Sequence, residues 1–91
     1  MFVIEDEWHA EWIGEYVNRE GAHAELRRFA ELPWDEAPNL CSCLSWQTCG
    51  RRYRIIEYDT SANPWRQLSD EALLDTSAEK TAWLPVPTAT S

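Results

Sequence analysis

The sequence predicts an α+β domain in which one helix packs on one face of a largely antiparallel sheet of four or five strands. Three observations carry that prediction: a period-two stretch at the N-terminus, a single helical repeat behind a capping asparagine, and a return to strand patterning after a long loop. The expected order is an N-terminal β-hairpin, one helix, a long loop, and two to three further strands.

From Phe2 to Tyr16 the even positions (Phe2, Ile4, Asp6, Trp8, Ala10, Trp12, Gly14, Tyr16) are mostly apolar, and the odd ones carry Glu5, Glu7, Glu11 and Glu15. Alternation with period two is the signature of a strand with one buried face. A chain that folds back near Asp6 to Trp8 pairs Ile4 with Ala10 and Phe2 with Trp12, which keeps the even face inward if the loop has an odd number of residues; a single long strand is the rival, since no Gly, Pro or Asn marks the turn. On this reading Trp8 and Trp12 belong to the core.

Asn18 is placed to cap a helix running from about Arg19 to Leu32. Ala22, Leu26, Phe29, Ala30 and Pro33 recur at helical spacing and form the expected buried stripe, while Glu20, His23, Arg27, Arg28 and Glu31 face water. Val17 precedes the cap and is expected to pack on Ala22 as a hydrophobic staple.

The stretch from Pro33 to Gly50 shows neither period. A connection of that length in a compact domain is usually functional or pinned by its own side chains. Strand patterning resumes at Arg52 to Asp59, where adjacent Ile55 and Ile56 imply a strand buried on both faces. Ser61-Ala62-Asn63-Pro64 is turn chemistry. Ala72 to Thr76 and Thr81 to Leu84 read as a last hairpin, with a short helical turn capped by Ser69-Asp70-Glu71 as the alternative. Residues 1–84 therefore form one domain, and 85–91 form a tail.

At EWHAEWIGEY, ELPWDEAPN and SWQTCGRRYRIIEYD the chain resembles a group of small bacterial proteins of similar length. The resemblance covers residues 2 to about 65. It implies a compact α+β domain and implies no activity.

Sixteen acidic against eight basic side chains give a formal charge of −8, which argues against direct nucleic-acid or anionic-membrane binding by the whole chain. The charge is uneven: residues 1–38 hold ten acids and three bases, whereas residues 39–66 hold two acids and four bases. No apolar run approaches the roughly 20 residues a membrane span needs. The N-terminus carries Glu5, Asp6 and Glu7 where a signal peptide would be basic, and three cysteines is an odd count for a disulfide scaffold, so a cytoplasmic location is expected.

Cys41, Cys43 and Cys49 are the candidate metal ligands, with His9 or His23 as a fourth, but C-x-C-x5-C is not a recurrent zinc spacing, so no cofactor is expected. Arginines beside Cys49 would stabilise its thiolate, the alternative reading being a cysteine-loop metal-binding or thiol redox and sensing protein. No paired carboxylates in an apolar setting and no phosphate-cradling glycine loop are present, so an enzyme is not expected. Arg51, Arg52 and Arg54 form a candidate anion site, although alternation favours the pairing of Arg52 and Arg54 across the sheet with the acidic outer face of Glu5, Glu7, Glu11 and Glu15. The expectation is a non-enzymatic acidic protein-binding module that contacts a basic partner surface through Glu5, Asp6, Glu7, Glu11 and Glu15. Trp34 and Trp46 in the long loop are the expected anchors. Such a module suits an inhibitor or immunity-type protein that masks a nucleic-acid-binding surface, for example a phage-encoded inhibitor of a bacterial nuclease defence.

Overall fold

In a computed structural model, which describes residues 1–40 and 50–84, the chain forms strands β1 (Phe2–Asp6) and β2 (Glu11–Tyr16), helix α1 (Arg19–Glu31), and strands β3 (Arg51–Asp59), β4 (Arg66–Thr76) and β5 (Thr81–Trp83). The strands form a single sheet in the order β2-β1-β3-β4-β5, and every neighbouring pair is antiparallel. The fold class is α+β, as the sequence predicts. No helix among the described residues is long and apolar enough to cross a membrane.

Helix α1 starts where the sequence places it. The Asn18 side chain accepts a hydrogen bond from the Gly21 backbone N–H at 2.7 Å, satisfying a donor that the first turn leaves open. Ala22, Leu26 and Phe29 are buried and meet Ile4, Tyr53, Ile55, Leu73 and Leu74 of the sheet, with Phe2, Ile13, Tyr16, Ala30 and Leu32 at the margin. Two details differ from the expected helix. Val17 is 83% exposed and staples nothing, and Pro33 lies on the surface because the chain has already turned away after Leu32.

The C-terminal end of α1 is held by Asn39, which is 2% exposed. Its amide nitrogen donates to the carbonyls of Phe29, Leu32 and Pro33 at 2.9, 3.3 and 3.2 Å, and its carbonyl accepts from the Tyr53 hydroxyl at 2.9 Å. One side chain thus adds a donor to three carbonyls at and just beyond the helix end, of which those of Phe29 and Pro33 also accept the Leu32 and Glu36 backbone N–H groups, and ties them to the central strand.

The hairpin is built differently from the simple alternation. The turn spans Glu7–Ala10, with Ala10 in the left-handed region at φ 51°, and the register runs Asp6↔Glu11 and Glu5↔Trp12, then Ile4↔Gly14 and Phe2↔Tyr16. The loop is even-numbered, and the extra residue is a β-bulge at Ile13 inside β2. Because side chains alternate with period two, one inserted residue sends those on its two sides to opposite faces. Ile13 and Tyr16 pack toward the helix, and Trp12 is carried to the opposite face, where it is 49% exposed. Trp8, in the turn, is 51% exposed. Neither tryptophan belongs to the helix-side core.

Strand β4 runs through Ser69-Asp70-Glu71, so the capped helical turn does not form; its own irregularities, at Leu68 and Leu73, keep Leu74 facing the helix. Ile55 and Ile56 are each 1% exposed, as expected of a strand covered on both sides.

Candidate functional site

The sheet has one face under α1 and one face that no helix among the described residues covers. Strand registers assign Val3 and Glu5 of β1, Trp12 and Glu15 of β2, Arg52, Arg54, Ile56 and Tyr58 of β3, and Asp70, Ala72 and Asp75 of β4 to this open face. Val3 and Ile56 sit opposite one another and are 0% and 1% exposed although they lie outside the helix-side core. The registers place an aromatic cluster around this pair. Trp12 lies one row to one side of this pair and Tyr58 one row to the other, and their rings meet across it at 5.9 Å; Trp65 stacks on Trp12 at 6.4 Å and tilts onto Tyr58 at 5.9 Å. The cluster forms a second, thinner core whose outer surface stays in water: Trp12 and Trp65 are 49% and 40% exposed.

Both cations on this face are already engaged. The Arg52 guanidinium donates in a fork to Asp75, at 2.8 and 2.9 Å, and lies 5.1 Å over the Trp8 ring. Arg54 donates to Glu5 at 2.8 Å and stands 3.6 Å from Asp70. Burial works against the Arg54 charge, but the hydrogen bond and charge of Glu5, with Asp70 and Glu7 behind, outweigh it and raise its pKa. The surface that remains combines half-exposed aromatic rings with the exposed carboxylates Glu7, Glu15 and Asp70.

The five acids of the hairpin do not share one exposed face. Asp6 lies on the helix side of the sheet, is fully buried, and accepts from the backbone N–H groups of Trp8 (3.0 Å) and Arg52 (3.2 Å), from Arg51 Nη1 (3.0 Å) and from His9 Nδ1. Arg51 also donates to Glu11 at 2.6 Å and to the Leu40 carbonyl at 2.9 Å. Burial opposes the Arg51 charge; the Glu11 hydrogen bond and the Glu11 and Asp6 charges raise its pKa nonetheless. Four donors occupy the two oxygens of Asp6, which leaves little acceptor capacity for a ligand or a reacting proton. Glu5 is 9% exposed against Arg54, Glu11 is half-exposed on Arg51, and Glu7 and Glu15 alone project freely into solvent.

Arg51, Arg52 and Arg54, the candidate anion site, are thus each bound to a carboxylate: Arg54 to Glu5 of the hairpin, as the alternation favours, but Arg52 to Asp75 of β4 and Arg51 to buried Asp6. Trp34 is partly buried. Trp46 and the three cysteines, with the metal and thiol readings that need them, lie outside the described residues. Among the described residues no group of three or more His, Cys, Asp or Glu is placed to hold a metal ion.

Sequence reasoning did not single out Tyr58, Trp65 or Asp70 as members of a surface. Tyr58 and Trp65 flank the β3–β4 turn, and only the bulge that expels Trp12 from the helix side brings the three rings together. No family model, curated protein or solved structure matches the chain.

Proposed function

We propose that this protein is a non-enzymatic protein-binding module that uses the open face of its sheet to engage a partner with a basic surface. The observation that supports this reading is the exposure of Trp8, Trp12 and Trp65 on a sheet face without helix cover, where both arginines are already paired with carboxylates. Tryptophan is the residue type most enriched at binding hot spots, because one rigid ring delivers a large apolar area at low entropic cost. The unpaired carboxylates at the margin, with a formal charge of −8 on the whole chain, favour approach of a basic protein and disfavour nucleic acid. A module of this kind is suited to an inhibitor or immunity-type role in which it masks a surface that otherwise holds nucleic acid. A phage-encoded inhibitor of a bacterial nuclease defence is one instance of that class.

The test is affinity capture of partners from a bacterial lysate at low and high salt, using the native chain and a Glu7→Lys, Trp8→Ala variant. The reading expects one basic partner, released by salt and lost with the variant. A partner that survives both changes refutes it.

A further inference from the structure

The open face already contains one complete cation seat, filled from within: the Arg52 guanidinium lies over the Trp8 ring and is held by the Asp75 carboxylate. The same ingredients recur, without a cation, a short distance along the sheet. Trp12, Tyr58 and Trp65 place three ring centroids within 5.9 to 6.4 Å of one another. The cation–ring contacts among the described residues involve Phe2, Phe29 and Trp8, and none involves these three rings. Beside them, Glu15 is the next side chain of β2 on this face after Trp12, opposite Val3, and it is exposed and makes no ion pair among the described residues.

We infer that the Trp12–Tyr58–Trp65 cluster with Glu15 is a seat for an arginine side chain supplied by a protein partner. The inference rests on the open face being the binding surface and names the group that this surface reads. The negative faces of the indole rings attract a cation, and the planar, weakly hydrated guanidinium stacks on them better than the compact ammonium of lysine. Glu15 supplies the carboxylate that Asp75 supplies to Arg52. Trp12 and Trp65 each keep about half their surface in water, so a stacked guanidinium would be shielded on the ring side and would meet Glu15 at its edge.

The test uses the full chain and three synthetic octapeptides of Gly and Ser that carry three arginines, three lysines or three glutamines. Binding is followed by tryptophan emission at low ionic strength, in the native protein and in Glu15→Gln and Trp12→Ala. Glu15→Gln removes a charge from an exposed, unpaired side chain and keeps the fold; Trp12→Ala uncovers Val3 and Ile56, so its folded state is checked by circular dichroism. The arginine peptide should bind most tightly, ahead of lysine, with glutamine weakest. Glu15→Gln should weaken it about threefold and Trp12→Ala about fivefold, in keeping with a single exposed cation–π contact. Equal binding of the arginine and glutamine peptides overturns the inference, as does arginine binding that both variants leave unchanged, or tighter binding of a single-stranded oligonucleotide than of the arginine peptide. Those results leave the module reading standing, because it fails by a separate result, a captured partner that ignores Glu7→Lys and Trp8→Ala.

Discussion

Arg51 and Asp6 form an ion pair in the interior of the protein: Nη1 stands 3.0 Å from Oδ2, and the two side chains are 5% and 0% exposed. The pair joins the last residue of β1 to the first of β3, and through the Leu40 carbonyl it holds the chain that leaves Asn39. A buried pair of this kind gains little over an apolar pair of the same shape, yet removing one partner strands the other charge away from water. Arg51→Ala, which leaves the fully buried Asp6 without its guanidinium, should therefore cost about 3–5 kcal/mol, measured as a shift in urea midpoint at unchanged slope, and Asp6→Ala less, because Arg51 keeps Glu11. Arg51→Lys should recover only part of that, because an ammonium cannot reach Asp6, Glu11 and Leu40 from one planar fork.

Asn39 and Tyr53 tie the helix to the sheet through one hydrogen bond, and their losses should be unequal. Tyr53→Phe removes a single hydroxyl and leaves the Asn39 carbonyl unpaired, at a cost of about 1–2 kcal/mol. Asn39→Ala removes the amide donor from the Phe29, Leu32 and Pro33 carbonyls, of which Phe29 and Pro33 keep a backbone N–H, and also strips the buried Tyr53 hydroxyl of its acceptor, and should cost more, about 2–4 kcal/mol. Denaturant titration of the two variants against the native chain checks the order.

The same tyrosine sets an alkaline limit. Burial, opposed by Arg51 and assisted by Asp6 and Glu11, pushes the Tyr53 phenol well above its ordinary value of 10.0, and burial with the Glu25 charge raises Tyr16 as well. Below pH 10 both phenols are protonated in the folded and unfolded chains, so they confer no pH dependence. Above it the unfolded chain loses protons that the folded chain keeps, and stability falls with rising pH. Unfolding free energy should decline between pH 10 and 11, and Tyr53→Phe should flatten that decline without abolishing it, since Tyr16 still contributes. An equal slope in the variant would show that Tyr53 ionises alike in both states.

The parts of this fold that were legible in the sequence are those where pattern and burial agree. Asn18 caps α1 because a short polar side chain before a 3.6-residue repeat has a free N–H to accept, and Ile55-Ile56 marks a strand covered on both sides. The hairpin register was not legible, because alternation reads Gly14 as an ordinary even position, although a lone glycine inside a strand pattern is the local mark of the bulge beside it at Ile13. Competition among side chains decides it: with the bulge, Ile13 enters the core and Trp12 lies over Val3 and Ile56, whereas unbroken alternation would place Trp12 inside. The acidic hairpin misleads for a similar reason. Alternation already sets Asp6 on the inward, even face, yet its charge groups it with the exposed acids; its match is Arg51, 45 positions away, and only the folded chain brings the two together. The aromatic surface depends on both effects and was invisible for that reason.

Because the bulge turns Trp12 outward, and Trp8, Trp65 and Trp83 are exposed in the turns and the edge strand, the protein should fluoresce as a chain with wet indoles. Trp8, Trp12, Trp65 and Trp83 are 40–51% exposed, so iodide and acrylamide should quench most of the emission in the folded state. Iodide should be the weaker quencher at low salt, because Glu7, Glu15 and Asp70 repel it from the open face. Emission that only acrylamide after unfolding can reach would contradict the placement of Trp12 outside the helix-side core.

Gly50 offers the sharpest steric test. It is buried at the start of β3, and a Cβ built on it would lie 2.3 Å from the Thr76 carbonyl oxygen and 2.9 Å from the Ser77 Cβ. The nearest obstacle is backbone at the end of β4, which cannot rotate away as a long side chain could. Accommodating a methyl there requires the ends of β3 and β4 to separate, which pulls Arg51 from opposite Thr76 and loosens its hold on Asp6. Gly50→Ala should therefore destabilise by about 3 kcal/mol or more, the upper end of what overpacking costs elsewhere. Gly21→Ala is the control: its nearest contact, the Asn18 side-chain oxygen, stands at 3.3 Å on the surface, and alanine is the better helix former by about 1 kcal/mol. Thermal unfolding should separate the two variants, with Gly50→Ala melting well below the native chain and Gly21→Ala close to it, since the Asn18 cap oxygen need give by only a few tenths of an ångström.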